Sequence, residues 1–282
     1  MRLLQRERLR RLRKSDIPAA VELLDEDPVA TVLIRMALAN GGMSLPAHAL
    51  GYFDQSGELT AVCWNGTNIV PYGFTAAGLT ALAKYLTSAG VTASSIVGPS
   101  DQVLALWELI AAKFPPPREI RRRQLSMVYQ GKPQVPADSL VRQAKIGEGA
   151  LIVPAAFAMF EEEVGYDPRS FGNVYAKYVH QLVSAGHTFV RIQPHHGTPR
   201  VEFKADVGAL SDQVAQIQGV WVAPELRNRG IGASAMVAVA QQVQAAFAPT
   251  VSLYVNDYNL PAVRAYEKAG FVTVGTYTTV LL

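Results

Sequence analysis

The sequence predicts an α/β protein made of two similar units in tandem, each a mixed, mostly antiparallel twisted sheet flanked by helices. Three observations predict it. Hydrophobic residues make up 49% and charged residues 17% of the 282, enough for a sizeable core in each half. The segment Gly131–Asp138, GKPQVPAD, carries two prolines, one glycine and no apolar periodicity, and so divides the chain into 1–131 and 138–282. The order of strand-period and helix-period segments is also nearly the same on both sides of that divide.

In the second unit Leu140–Lys145 reads as a strand, followed by helices over Ala150–Val164 and Val174–Ala185. In the second of these helices Val174, Tyr178, Leu182 and Val183 share a face, and Gly186 stops it. Strands follow at His187–Gln193, Val201–Leu210 and Val214–Val222. Ile231–Ala248 is a helix with Met236, Val239, Val243 and Phe247 on one stripe. Val251–Val255 is a strand, Pro261–Ala269 a helix and Phe271–Leu282 one or two strands. The first unit repeats this order: a strand at Leu9–Arg13, helices over Ile17–Leu24 and Val29–Asn40, and a stop at Gly41–Gly42. Strands then run over Leu50–Asp54, Leu59–Trp64 and Ile69–Tyr72, with a helix over Leu79–Ser88, a strand at Ser95–Val97, a helix over Val103–Ala112 and a strand at Arg121–Tyr129.

Composition narrows the function. A net charge of +3 does not mark a nucleic-acid binder. The basic start, with Arg2, Arg6, Arg8, Arg10, Arg11, Arg13 and Lys14, reads as an edge strand with a solvated face. No apolar run has the length of a membrane span, and no signal-peptide core follows the basic start, so no membrane partner and a cytoplasmic location are expected. The single cysteine, Cys63, lies in an apolar strand and reads as a buried, inert thiol. The five histidines show no metal-ligand spacing, and no metal is expected.

The informative segment is Gly219–Gly232, GVWVAPELRNRGIG, in which a strand reaches Pro224, a tight loop follows and a helix begins. Unpaired N–H groups and the positive end of the dipole make such a helix N-terminus a phosphate site. Glycine lets the backbone approach closely, and Arg227 and Arg229 add positive charge. Arg227, Gly230 and Gly232 resemble the cofactor loop of the Gcn5-related N-acetyltransferase superfamily. Downstream, Leu253, Val255, Asn259, Ala262, Tyr266, Gly270 and Phe271 of LYVNDYNLPAVRAYEKAGF fall at that family's spacing. The resemblance covers Leu140–Leu282.

It implies an N-acetyltransferase that moves the acetyl group of acetyl-CoA to a primary amine by direct transfer in a ternary complex. The acceptor would be a small-molecule amine, a protein lysine or an N-terminal amine. Val220 and Val222, flanking Trp221, would bond the pantetheine arm. The main chain of Arg227, Asn228, Arg229, Gly230, Ile231, Gly232 and Ala233 would hold the pyrophosphate. Asn259 and Ala262 would contact the cofactor, and Tyr266 would protonate the departing thiolate.

Two features depart from the family pattern. Gln216 stands where members often carry a glutamate base, and glutamine cannot accept a proton at neutral pH. Glu202 and Asp206 on the preceding strand, and Glu161, Glu162 and Glu163, are the alternatives. Glu202, Lys204 and Asp206 alternate with apolar residues and are expected on one face. Asn228 stands where glycine is common, and asparagine can still adopt a left-handed conformation there. The first unit's loop, IVPYGFTAAGL, has no arginine, and Trp107 stands near the tyrosine position. That unit resembles the degenerate N-terminal halves of bacterial tandem acetyltransferases. These departures also admit an acetyl-CoA-binding sensor or scaffold with weak catalysis.

Overall fold

The structure, a computed structural model, describes residues 8–40, 48–90 and 92–282. Arg2, Arg6 and the expected stop at Gly41–Gly42 lie outside them. The chain forms two compact units, residues 1–126 with 275–282, and residues 127–274.

In the first unit the strands are β1 (Arg8–Arg11), β2 (Ala49–Phe53), β3 (Leu59–Asn65), β4 (Asn68–Tyr72), β5 (Ser95–Pro99) and the first part of β6 (Glu119–Tyr129). The helices are α1 (Ile17–Leu24), α2 (Pro28–Asn40), α3 (Ala76–Ala89) and α4 (Ser100–Ile110). Pairing is antiparallel from β1 to β4, and β4 pairs with β5 in parallel. The core joins Leu50, Ile69, Leu82, Leu86, Ile96 and Leu106. Helix α3 starts earlier than its apolar period suggests, because the Thr75 hydroxyl accepts the N–H of Gly78 at 3.2 Å and caps it. Cys63 is buried in this unit, and burial pushes its thiol well above the ordinary range, as expected of an inert cysteine.

The second unit holds the end of β6, then β7 (Val141–Gln143), α5 (Gly149–Val164), α6 (Val174–Ser184), β8 (Thr188–His195), β9 (Thr198–Leu210) and β10 (Val214–Val222). Helix α7 (Ile231–Ala246), β11 (Thr250–Asn256), α8 (Leu260–Lys268) and the start of β12 (Phe271–Leu281) complete it. Strands β7 to β10 pair antiparallel and β10 pairs with β11 in parallel, the same plan as in the first unit. Helix α7 buries Ala233, Ala235, Ala238 and Ala240 together with Met236, Val239 and Val243, so its backbone lies close to the sheet.

Three details differ from the linear reading. In α6 the buried face is Val179, Leu182 and Val183, while Val174 is 72% exposed and Tyr178 38% exposed. The segment Gly131–Asp138 lies within the second unit, where the Gln134 N–H donates to the Lys268 carbonyl at 2.8 Å. Gly275–Leu282, read as part of the second unit, belongs to the first. There Tyr277 to Leu281 pair antiparallel with Pro99 to Ser95. The Tyr277 hydroxyl lies 3.1 and 2.8 Å from the Val29 and Ala30 carbonyls, and Val280 is fully buried in the core. A strand is placed by the edge that its N–H and C=O groups satisfy, not by its neighbours in sequence.

Removing Gly275–Leu282 should therefore destabilise the first unit rather than the second. Loss of two buried side chains, Tyr277 and Val280, corresponds to about 3–6 kcal/mol at ~1.5–3 each. Urea unfolding followed by hydrogen exchange should show protection lost in residues 49–110 and kept in residues 188–256.

Candidate functional site at the parting of two strands

The site begins where two strands separate. β10 and β11 pair only from Val214↔Thr250 to Ile217↔Leu253, although both continue, to Val222 and Asn256. Against β9 on its other side, β10 gains one extra residue between Gln218↔Asp206 and Trp221↔Lys204. That bulge contains Gly219, at φ 59°. A Cβ there would lie 3.0 Å from an Asp206 carboxylate oxygen and 3.1 Å from Lys204 Nζ, so position and conformation both require glycine.

β10 then passes through Pro224 into the loop. Asn228 (φ 62°) and Gly230 (φ 80°) are both left-handed, and α7 starts at Ile231. The hydrogen bonds of the described residues take none of the amides from Asn228 to Ala233. A Cβ on Gly230 would meet nothing within 4 Å, so the space before the helix N-terminus is open. The amide of Arg227 is not among these donors, since it bonds the Pro224 carbonyl at 3.2 Å. Its guanidinium also points away, donating to the Val222 carbonyl at 3.0 Å and to Glu162 at 2.6 Å. Glu162 in turn accepts the Trp221 indole N–H at 3.3 Å, so α5 braces the loop. Both arginines are exposed, and among the described residues Arg229 has no hydrogen bond or ion pair.

From the next turn, Asn259 caps α8 by accepting the Ala262 N–H at 3.3 Å. Tyr266 lies on the buried side of α8, against Phe271 with ring centres 6.1 Å apart. Burial, and then the charge of Glu163, push its hydroxyl well above the ordinary phenol range. Burial, then the charges of Asp206, Tyr178 and Glu163, do the same to Tyr175. Gln218 reaches the Tyr178 hydroxyl at 3.2 Å.

The candidate bases separate. The pairing of β8 with β9 shifts by one residue between Arg191↔Phe203 and Ile192↔Val201, leaving Glu202 as the extra residue. The expected alternation therefore fails at Glu202. Its carboxylate accepts from Arg191 at 2.7 Å, and Arg191 also holds Asp138 at 2.6 Å. Lys204 and Asp206 instead pair with each other at 2.6 Å beside the bulge. Gln216 is buried, and its Oε1 has no hydrogen-bond partner among the described residues.

The first unit differs at the corresponding places, although β4 and β5 also pair only at Asn68↔Ser95 and Ile69↔Ile96. Pro71 in the middle of β4 removes a backbone donor, and the Thr75 side chain occupies an amide of the helix N-terminus. Both residues are visible in the sequence, and a proline inside a strand is the signal that the arginine-centred comparison overlooked. Among the described residues no group of histidine, cysteine and carboxylate side chains could hold a metal, and no helix is long and apolar enough to cross a membrane.

Residues 168–271 match the acetyltransferase (GNAT) family, and residues 47–152 match a domain of unknown function, DUF4081. Solved structures share the fold. A Drosophila protein is 13% identical over 97% of this chain and 98% of its own, with a TM-score of 0.65. A GCN5-related N-acetyltransferase from Sphaerobacter thermophilus is 17% identical over 97% and 94%, with a TM-score of 0.58. A tandem GNAT protein from the clavulanic acid biosynthesis pathway is 11% identical over 98% of both chains, with a TM-score of 0.53. No curated protein sequence matches the chain. The GNAT match thus covers residues 168–271, and the DUF4081 match precedes it over residues 47–152.

Gly230→Ala should fold with a loss of about 1–2 kcal/mol, the cost of a left-handed alanine without any clash. A shift of the urea midpoint beyond that range would mean that the loop is packed rather than open.

Proposed function

We propose that this protein transfers the acetyl group of acetyl-CoA to a primary amine in a ternary complex, binding acetyl-CoA once, in its second unit. The observation that carries this reading is the parting of β10 from β11 beside a helix N-terminus whose amides have no protein partner. An extended amide-bearing arm, such as pantetheine, can pair with Val220 and Val222 as an added strand. The amides from Asn228 to Ala233, with the dipole of α7 and the charge of Arg229, suit a pyrophosphate.

Transfer needs a neutral amine beside the thioester, a donor for the oxyanion and a proton for the leaving thiolate. Holding both reactants in the parted strands lowers the entropic barrier. The Val220 N–H is the oxyanion donor. Tyr266, kept protonated by its surroundings, gives its proton to the thiolate, which is the weaker base in water. Glu202 is a poor base because Arg191 holds its carboxylate. Glu163, whose charge reaches both Tyr266 and Tyr175, fits that role better.

The protein, acetyl-CoA and a thiol reagent, tested with a polyamine, an amino sugar, an arylalkylamine and a lysine peptide, should release CoA with at least one amine. Tight acetyl-CoA binding without release from any amine would favour the sensor reading. Calorimetry should report one site per chain, and Gly230→Val should weaken it at least about 10-fold by obstructing the phosphate approach. Two equivalent sites would overturn the assignment to the second unit.

Tyr266→Phe should leave acetyl-CoA affinity nearly unchanged and lower the single-turnover rate about 10-fold to 10³-fold. Because the Tyr266 pKa is raised, the wild-type rate should show no descending limb near pH 10, where an ordinary phenol ionises. An unchanged rate in the variant would make Tyr266 a packing residue only.

A further inference from the structure

Lys204 is fully buried. Its ammonium donates to Asp206 at 2.6 Å and to the carbonyl of Gly219 at 2.8 Å. The other Asp206 oxygen accepts the Thr188 hydroxyl at 2.8 Å, so four strand residues form one chain of hydrogen bonds. Such a pair contributes little to stability, because desolvating both charges offsets their attraction, and apolar residues of similar size often do as well. Its position is the informative feature. The Gly219 carbonyl belongs to the bulge, just past the last β10–β11 pair.

A trans peptide unit is planar, so its C=O and the following N–H point in opposite directions. There is no cis peptide among the described residues. Lys204 lies on β9 and draws the Gly219 carbonyl toward itself. It thereby turns the Val220 N–H to the opposite side, from which β11 has parted. We propose that Lys204, held by Asp206 and Thr188, is a positioning residue that aims the Val220 N–H at the acyl carbonyl. This proposal rests on the acetyl-transfer reading above, in which that N–H stabilises the oxyanion.

Lys204→Met alone strands the Asp206 carboxylate and endangers folding, so the deciding variant is Lys204→Met/Asp206→Leu, which removes both charges at similar volume. Deuterium uptake should rise about 10-fold or more in the segment 217–222 and stay unchanged in α7, a local opening rather than a global one. The acetyl-CoA dissociation constant should stay within about 3-fold, because the phosphate-binding amides lie on the loop. The single-turnover rate with the best amine of the panel should fall about 10²-fold, the scale for losing one oxyanion donor. General loosening would instead raise the dissociation constant and lower the melting temperature together, which would overturn the proposal. So would a folded double variant with wild-type exchange in 217–222 or a wild-type single-turnover rate. If the wild type itself neither binds acetyl-CoA nor releases CoA, the acetyl-transfer reading fails, and with it the aim at an acyl group. The exchange comparison would still report separately whether the ion pair pins the bulge.

Discussion

Past Ile217 and Leu253 the two central strands of the second unit no longer satisfy each other's backbone groups. An N–H or C=O inside a protein needs a partner, and here the ladder leaves a row of them facing a gap. Most of the surrounding architecture serves that gap. The bulge at Gly219 turns β10 away from β11, and the buried Lys204–Asp206 pair fills the room that a side chain at Gly219 would need. The alanine-rich face of α7 brings its N-terminus close to the end of β10. Arg227 and Glu162 then tie the connecting loop to α5.

The two units share one plan and differ in the backbone donors they leave available. Both have four antiparallel strands and a parallel fifth, with a helix entered directly after the fourth strand. In the first unit Pro71 removes a donor from that strand and Thr75 occupies the helix N-terminus with its own side chain. In the second unit the same places carry Val220 and the open turn at Gly230. Pro71 thus takes away one strand donor and Thr75 engages one helix amide of the first unit.

The charged residues redistribute on folding in ways that alternation along a strand does not convey. Arg227, which reads as a phosphate ligand, is engaged by Glu162 and the Val222 carbonyl. Glu202 leaves the face of Lys204 and Asp206 for an ion pair with Arg191. Glu163 gains weight because its charge reaches tyrosines on two helices that are remote in sequence. Apart from the nearby Val222 carbonyl, each partner lies dozens of residues away or across a register shift, so a local pattern does not show it.

The sequence by itself determined the elements, the mixed α/β class, the repeated order and the turn that opens α7. Those depend on interactions within a few residues: the 3.6- and 2-residue periods, the left-handed preference of Asn228 and Gly230, and the stop imposed by Pro224. The Val214–Val222 strand and the Ile17–Leu24 helix are found with the bounds expected of them. Only the tertiary structure decided where β10 and β11 part, which face Glu202 takes, which arginine Glu162 engages, and that Gly275–Leu282 joins the first unit. These outcomes depend on which distant edge or charge satisfies a backbone group or a carboxylate, and that choice is settled only when the whole sheet and its helices have packed.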